Sequence, residues 1–561
     1  MKKLYIGVLF LFAILSVSAQ ETKTLWQKDI KSSTQDFLST MSITLDRQIV
    51  LSGSAIQKSK LSGVSTSGAT STNAGYDYRL LKLSQEGNIL WDKHFGGSKH
   101  DYLVSTTTTR EGGFLLTGTS YSNQSLDKKD NNIGGADVWL IRLNEDGEEL
   151  WQKTLGTKNN DEAAAVTQSL DEGFFVAGNI NSNKNLFGSK DIFISKLDKT
   201  GKLINTTILG GNALDEVQEM IATPDGGSVL LMYSTSGKTE NKIFNPLETD
   251  EANTENKAVD LLASLKPKTD NQQSTTIFGK TEENFGEGDY WIVKLDKNAN
   301  VEWQKTYGGS ADDHPKTIVF TDKGYLIGGE SRSNSSGNKR ENIEEGTDLW
   351  LISLDKNGNE LWQKTYSFGN RDVLMSANVI RKTNKDNFSE DKGFLLGGYT
   401  QAEGKIQTDD EKFWMLYINA EGKEEWRKHV EGTSKKKEER LVSAKLQTDG
   451  TFLLAGTSAE ELGQENWKIL KLGDKDLDNL LQKQDIRIYP NPVDDYAYVE
   501  IGFELKGEAQ ITLHDMSGRQ IQKIKTKNKV TKIDTAALPQ GVYIVTAKTP
   551  NKSVNTKIVK K

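Results

Sequence analysis

The chain has 561 residues, 35% hydrophobic and 27% charged, with 50 glycines and no cysteine. It is long enough for more than one domain, and it must rely on burial rather than on disulfide cross-links. The formal charge of −7 is unevenly spread: residues 486–561 carry 13 Lys+Arg against 7 Asp+Glu, which leaves 58 against 71, a net of −13, elsewhere. An acidic body argues against nucleic acid as its main partner.

Residues 1–19 read as a secretory signal. Lys2 and Lys3 form the basic end, residues 4–15 the apolar core, and Val17-Ser18-Ala19 a small-residue cleavage site at Ala19, before Gln20. The apolar run is too short to span a bilayer. No later stretch approaches the 18 apolar residues a span requires, so no transmembrane segment is expected in the mature chain.

One unit then recurs. In its clearest copy Asp348 opens an apolar run (Leu349, Trp350, Leu351, Ile352, Leu354), Asp355-Lys356-Asn357-Gly358 reverses the chain, and a return arm carries Trp362. Asp at the first and Gly at the fourth position suit a type I turn, so the unit reads as a β-hairpin. Its first position is Asp77, Asp137, Asp191, Asp289, Asp348, Lys412 and Asn466 in successive copies. The return-arm tryptophan is Trp26, Trp91, Trp151, Trp303, Trp362 and Trp426, with Asn205 in one slot. A Gly-Gly or near match follows (Gly96-Gly97, Gly210-Gly211, Gly308-Gly309). Another aspartate comes next (Asp101, Asp161, Asp215, Asp313, Asp372), then a strand, an acidic-Gly turn and an apolar strand.

Four short strands per copy, at a period near 60 residues, predict an all-β fold over residues 20–472: a seven-bladed β-propeller. The seventh hairpin lacks a tryptophan arm, and Trp26 lacks a preceding arm. The N-terminal strand is therefore expected to complete the last blade and close the ring. Arms apolar on both faces suit sheets buried between neighbouring sheets. The tryptophans then pack between blades rather than forming a sugar-stacking platform. The aspartates after Gly-Gly cap turns rather than bind calcium, since neighbouring acidic ligands do not recur with them.

The units of this region resemble a secreted bacterial propeller family of the form D-x-W-[LIV]-x-[KR]-L-[DN]-x-x-G-x-x-x-W-x-K-x-x-G-G. That resemblance implies a fold and no activity. A looser likeness to the tryptophan-docked blades of pyrroloquinoline-quinone enzymes lacks that family's cofactor bed and vicinal Cys pair, and no cofactor is expected.

Three polar insertions interrupt the pattern: 52–75, 120–135 and, in the fourth blade, 233–286, with a helix candidate at 258–265. Their composition suits either disordered surface loops or a lid or docking segment. None of the five histidines forms a metal-binding spacing, and no nucleophile elbow or phosphate loop is present. No catalytic residue stands out. Past the last blade, Asp474, Asp476, Asp478 and Asp485 have calcium-loop spacing within residues 473–485. Asn479 stands where that loop wants Gly, so the stretch reads as a solvated acidic linker.

From residue 486 the periodicity changes to short alternating strands, a small β-sandwich. Lys523, Lys525, Lys527 and Lys529 form an alternating row that guards an edge. The tail is similar to the C-terminal type A sorting domain of the type IX secretion system. The matching residues are Tyr489-Pro490-Asn491-Pro492, the block from Leu513 to Gly518 and Arg519, Gly541-Val542-Tyr543, and the lysine-rich end. The resemblance implies engagement with type IX machinery and passage across the outer membrane of a Gram-negative cell. It also implies removal of the tail, with the body released or held at the cell surface. The expectation is an exported, non-catalytic scaffold that binds a glycan or a protein. The alternative is an extracellular hydrolase or lyase with carboxylates at the propeller channel.

Overall fold

The computed structural model describes residues 23–31, 35–56, 75–181, 187–244, 275–369, 371–383, 389–401, 412–430, 438–459, 465–473, 475–481 and 484–561. The leader with Ala19, residues 57–74 of the 52–75 insertion, the middle of the 233–286 insertion with its helix candidate, and Asp474 lie outside the described residues.

The described chain is almost entirely β. Before residue 474 it forms seven sheets, each built on four antiparallel strands. The first holds Phe37–Ile43, Ile49–Ile56, Tyr76–Leu83 and Ile89–Phe95, in that order. The second holds Asp101–Thr108, Phe114–Ser120, Asp137–Leu143 and Glu149–Leu155. The third to sixth repeat the layout, with first strands Asn160–Gln168, Asp215–Ala222, Asp313–Phe320 and Arg371–Thr383. The seventh supplies only Glu438–Leu446, Phe452–Ala459 and Asn466–Gly473 from its own stretch, and its fourth strand is Lys23–Ile30. That strand runs antiparallel to Asn466–Gly473, with Ile30 opposite Trp467 and Trp26 opposite Lys471. None of these sheets closes on itself as a barrel.

The hairpin chemistry is local. In the turn 355–359, Gly358 N donates to Asp355 O at 3.1 Å, while the Asp355 carboxylate takes the N–H groups of Asn357 and Asn359 at 2.8 Å each. Gly358 sits at φ +78, the left-handed region that glycine enters without a Cβ penalty.

Burial explains why these strands lack polar alternation. Every residue of Asp137–Leu143 and of Asp289–Leu295 is buried. Seven apolar clusters each join two sheets: first with second, and so on to sixth with seventh. The last joins the seventh to the first, through Trp467, Ile469 and Ile30 against Leu38, Ile49 and Leu81. Trp139, Trp291, Trp350, Trp414 and Trp467 on the third strands are fully buried. Each removes about 150–250 Å² from water, roughly 4–6 kcal/mol before entropy is charged against it.

The return-arm tryptophans do a different job, latching one sheet to the next. The Trp26 indole donates to Gln85 O at 3.0 Å in the outer turn of the first sheet, and Trp151 to Lys199 O at 3.2 Å. Trp362 donates to Ala420 O at 3.1 Å. The ring lies so close to the turn glycine that a Cβ on Gly358 would meet Trp303 at 2.7 Å. Where the tryptophan is Asn205, its amide donates to Asn298 O at 2.7 Å, and the glycine slot holds Ala299. Tryptophan and glycine are lost together, as their contact requires.

The 233–286 insertion does something its composition did not show. Thr275–Gly279 pairs in parallel with the outer strand Leu203–Gly210, and Lys242–Phe244 pairs with Thr275–Gly279, so the third sheet has six strands. Ile277 is fully buried there. The 473–485 stretch also differs from the expected solvated linker. Lys475–Leu480 is a helix that buries Leu477 and Leu480 against the sixth and seventh sheets.

The tail is a two-layer β domain. Ile486–Tyr489, Tyr496–Ile501 and Val530–Asp534 form one sheet; Gln520–Thr526, Ala509–Asp515, Gly541–Lys548 and Ser553–Lys560 form the other. Its core holds Val493, Val499, Leu513 and Val545. Lys523 and Lys525 are exposed on the edge strand Gln520–Thr526.

Candidate ligand-binding face

The first strands of all seven sheets line one cavity of about 690 Å³. Each breaks register near its start against its second strand, for example between Leu103 and Ser105, Ala163 and Ala165, and Val217 and Glu219, and that of the sixth sheet breaks it again between Ile380 and Arg381. Such a bulge leaves a backbone N–H out of the ladder. The preceding sheet supplies the acceptor: Ser54 Oγ for Leu103 N at 2.8 Å, Thr119 Oγ1 for Ala163 N at 2.9 Å, and Asn179 Oδ1 for Val217 N at 3.1 Å. In the fifth sheet the position is Pro315, which has no N–H to satisfy, and the acceptor slot holds Tyr233.

The cavity wall is mixed. Among the described residues Glu219 is the one carboxylate lining it, together with Lys316 and Lys445. Glu219 lies deep in the molecule while part of its surface still faces the cavity. Burial raises its pKa, and it takes Ile318 N at 2.7 Å. Burial lowers that of Lys316.

The two ends of this cavity differ. At one end the strands are joined by short turns. At the other lie the starts of the first strands, the 120–135 insertion and the described ends of the other two insertions. There the recurring aspartates hold the loops. Asp101, Asp215 and Asp313 take the N–H of Gly97, Gly211 and Gly309 at 2.6–2.7 Å. Asp137 takes Ile133 N at 2.6 Å, and Asp289 takes Phe285 N at 2.5 Å. The glycine preceding each of these loops has a steric cause: a Cβ on Gly308 would meet Asp289 Oδ1 at 1.7 Å. Burial pushes Asp161, Asp289 and Asp372 up to about 7.

Sequence reasoning missed the partner of these carboxylates. Lys128, Lys280 and Lys339 are buried in the second, fourth and fifth sheets, each 5.6–5.9 Å from the ring of Trp139, Trp291 or Trp350. Lys128 donates to Ser120 Oγ and Ser122 O at 2.8 Å each and to Asn132; Lys280 donates to Ser234 Oγ at 3.0 Å, Ser236 O at 2.8 Å and Asn284. Burial brings both down to about 8. The signal was a lysine nine positions before Asp137, Asp289 and Asp348. The 120–135 insertion is thus pinned by Lys128. Among the described residues, no group of three His, Cys, Asp or Glu could hold a metal ion.

Two irregular features stand out on this side. In the fourth and fifth sheets Tyr233 stacks on His314 at 4.5 Å and donates to Asp312 Oδ1 at 2.7 Å. Burial, with Lys316 beside it, takes His314 down to about 4. Between the first and second sheets five rings meet: Phe37, Tyr76, His100, Tyr102 and Tyr121.

The opposite side carries the tail. Arg47 donates to Tyr489 Oη and Glu500 Oε2 at 3.0 Å each, and its guanidinium lies 4.4 Å from the Tyr489 ring centre. Glu145 takes Tyr498 Oη at 2.7 Å and Lys532 Nζ at 2.5 Å, and Tyr496 Oη donates to Glu111 O.

The residues expected to form the sorting signal are not one cluster. Tyr489 faces the body. Pro490, Asn491 and Pro492 line a cleft between tail and body that Arg110 and Glu172 also border. Asn491 holds the last strand, taking Val559 N at 2.9 Å. Gly518, at φ +86, closes the turn 515–519. Gly541 opens a central strand, and Tyr543 is buried, donating to Pro539 O at 2.7 Å. The calcium-spaced aspartates are also apart. Asp476 and Asp478 lie on the helix, where residues two apart do not face each other; Asp476 pairs with Lys428 and Asp485 with Lys552.

Residues 487–561 match the family described as the secretion system C-terminal sorting domain. That places the chain among secreted or cell-surface proteins that engage the type IX machinery. No helix among the described residues is long and apolar enough to cross a membrane. In sequence, no curated protein matches the chain. Several solved structures are similar. One is a protein of unknown function from Dyadobacter fermentans, 12% identical over 81% of this chain and 99% of that one, with a TM-score of 0.35. The extracellular domain of BT4673 from B. thetaiotaomicron is 11% identical over 93% and 81%, with a TM-score of 0.18. An apocarotenoid oxygenase variant from Synechocystis is 9% identical over 90% and 98%, with a TM-score of 0.35.

Proposed function

We propose that residues 20–472 form a seven-bladed β-propeller closed by the N-terminal strand, exported by a signal ending at Ala19, with 473–485 joining it to a sorting domain at 486–561. The pairing of Lys23–Ile30 with the seventh sheet supports closure, as does the apolar cluster between the seventh and first sheets. The body is a non-catalytic scaffold that binds a glycan or a protein of the cell exterior through the side bearing the insertions.

One observation carries this reading. The 120–135 insertion, the Tyr233–His314 pair and the five-ring cluster all lie on the side away from the docked tail, so that side is accessible while the tail is still attached. A hydrolase or lyase at the cavity would need a second carboxylate beside Glu219 for paired acid–base chemistry, and the lining supplies lysines there instead. Screening the secreted body against glycans and cell-envelope proteins tests the proposal. A saturable binder weakened by deleting residues 245–274 or by changes in the ring cluster supports it. The absence of any saturable binder overturns it, as does substrate turnover abolished by Glu219→Gln.

A further inference from the structure

Resting on the binding reading above, we infer that the five-ring cluster between the first and second sheets is a carbohydrate subsite that stacks the apolar face of a neutral pyranose. Phe37 and Tyr76 lie with ring centres 5.1 Å apart, Tyr76 and Tyr102 5.4 Å, and Tyr76 and His100 5.8 Å. His100 and Tyr102 are within 11° of parallel at 5.6 Å, and Tyr121 meets Tyr102 edge-on at 6.4 Å. Phe37 and Tyr121 are each 40% exposed.

The fold does not require aromatic residues here. Tyr76 stands where the corresponding positions hold Ala136, Lys190, Gly288 and Thr347, and Tyr102 stands where they hold Glu162, Glu216 and His314. The third and fourth sheets assemble with small or charged residues in those places, whereas the fifth has a ring, His314 stacked on Tyr233, so the fold tolerates an aromatic residue there without demanding one.

The cluster is also held in place before any ligand arrives. Phe37, Tyr76 and Tyr102 are anchored at strand ends. His100 accepts the Tyr76 N–H at its Nδ1 at 3.2 Å, and its carbonyl takes Tyr121 N at 2.9 Å. A rigid platform binds at lower entropic cost than one that must be assembled.

Aromatic faces carry negative quadrupole density, which meets the polarised C–H bonds of a sugar face. Three phenol groups border the rings and can bond the hydroxyl rim. The carboxylates Asp36 and Glu465 act on Tyr76, and Asp36 is paired with the Arg79 guanidinium at 3.0 Å, so its charge is compensated and the rings suit a neutral sugar.

Affinity electrophoresis of the full secreted chain through a soluble mannan, a xylan and a β-glucan tests this, with a polyuronate and a proline-rich peptide as comparison probes. At least one neutral polysaccharide should retard the chain. Phe37→Ala and Tyr121→Ala, both at exposed positions, should each weaken that retardation about tenfold without changing the melting temperature. Tyr102→Phe should retain most of it. No retardation by any neutral polysaccharide overturns the inference, as does retardation unaffected by the ring variants or preference for the polyuronate or the peptide. A binder lost on deleting residues 245–274 but indifferent to the ring variants leaves the binding reading standing and removes this subsite.

Discussion

The two ends of the seven-sheet body are built on different terms. On the turn side one recipe is reused: in turns 84–88, 198–202, 355–359 and 419–423 the fourth residue is a left-handed glycine that donates to the first. On the insertion side the connections differ in length, charge and content, and buried aspartates, lysines and serines hold them. The turn side is therefore governed by local dihedral angles, and the insertion side by contacts between distant parts of the chain. The tail exploits the first arrangement. It docks through Arg47, Glu111 and Glu145, residues of the turns 44–48, 109–113 and 144–148; Arg47 itself takes the left-handed fourth position, at φ 64, and Glu111 contributes its backbone carbonyl.

The contrast can be broken most severely at a turn. Gly358→Ala places a Cβ 2.7 Å from Trp303 at a left-handed φ. It should cost about 2–4 kcal/mol, read by denaturant unfolding. Glu145→Ala should leave the body's stability intact but weaken tail docking by about 1–2 kcal/mol, since it removes the acceptor for Tyr498 and Lys532. Faster hydrogen exchange in Tyr496–Ile501 would register the change; unaltered exchange there would contradict the docking.

On the insertion side the buried carboxylates give an unusual pH response. Folded Asp161, Asp289 and Asp372 take up protons near pH 7, whereas the unfolded chain binds them only near the ordinary carboxylate value of 3.8. More protons are bound in the folded state between those values, so stability should rise as the pH falls from about 7 toward 4. Below that, Asp92 and Asp225, both held at about 2, lose their contribution and stability should fall. Calorimetry from pH 7.5 to 3 should show this maximum, and Asp289→Asn should flatten its neutral limb. The smallest effect concerns the odd latch. Asn205→Trp alone should destabilise, because the Ala299 methyl fills the glycine's place. Adding Ala299→Gly should recover about 1 kcal/mol of coupling, read by a double-mutant cycle.

What the sequence disclosed follows the same division. Hairpins such as Asp348–Asp355 with Glu360–Tyr366 were legible because turn chemistry and two-sided burial are written within a few residues. The tail was legible from the spacing of Tyr489, Gly518 and Tyr543. The buried lysines were hidden because a lysine in a polar loop reads as solvated until its serine and aspartate partners, contributed by other strands, are seen. The ring cluster was hidden because Phe37, Tyr76, His100 and Tyr121 come from separate connections and fit no motif. The third sheet's extra strands were hidden for a related reason: the insertion belongs in sequence to the fourth sheet and pairs with its neighbour.

The proposed ring depends on the first strand meeting the last, and the cysteine-free chain permits a direct test. Lys23 and Gly473 are opposed at the end of that strand pair, just beyond the bulge between Thr24 and Trp26. Opposed antiparallel residues lie within disulfide reach. A Lys23→Cys, Gly473→Cys double variant should oxidise to an internal cross-link that speeds migration on a non-reducing gel and reverts with reductant, while either single variant does not. A folded double variant that forms no such link would contradict closure by the N-terminal strand.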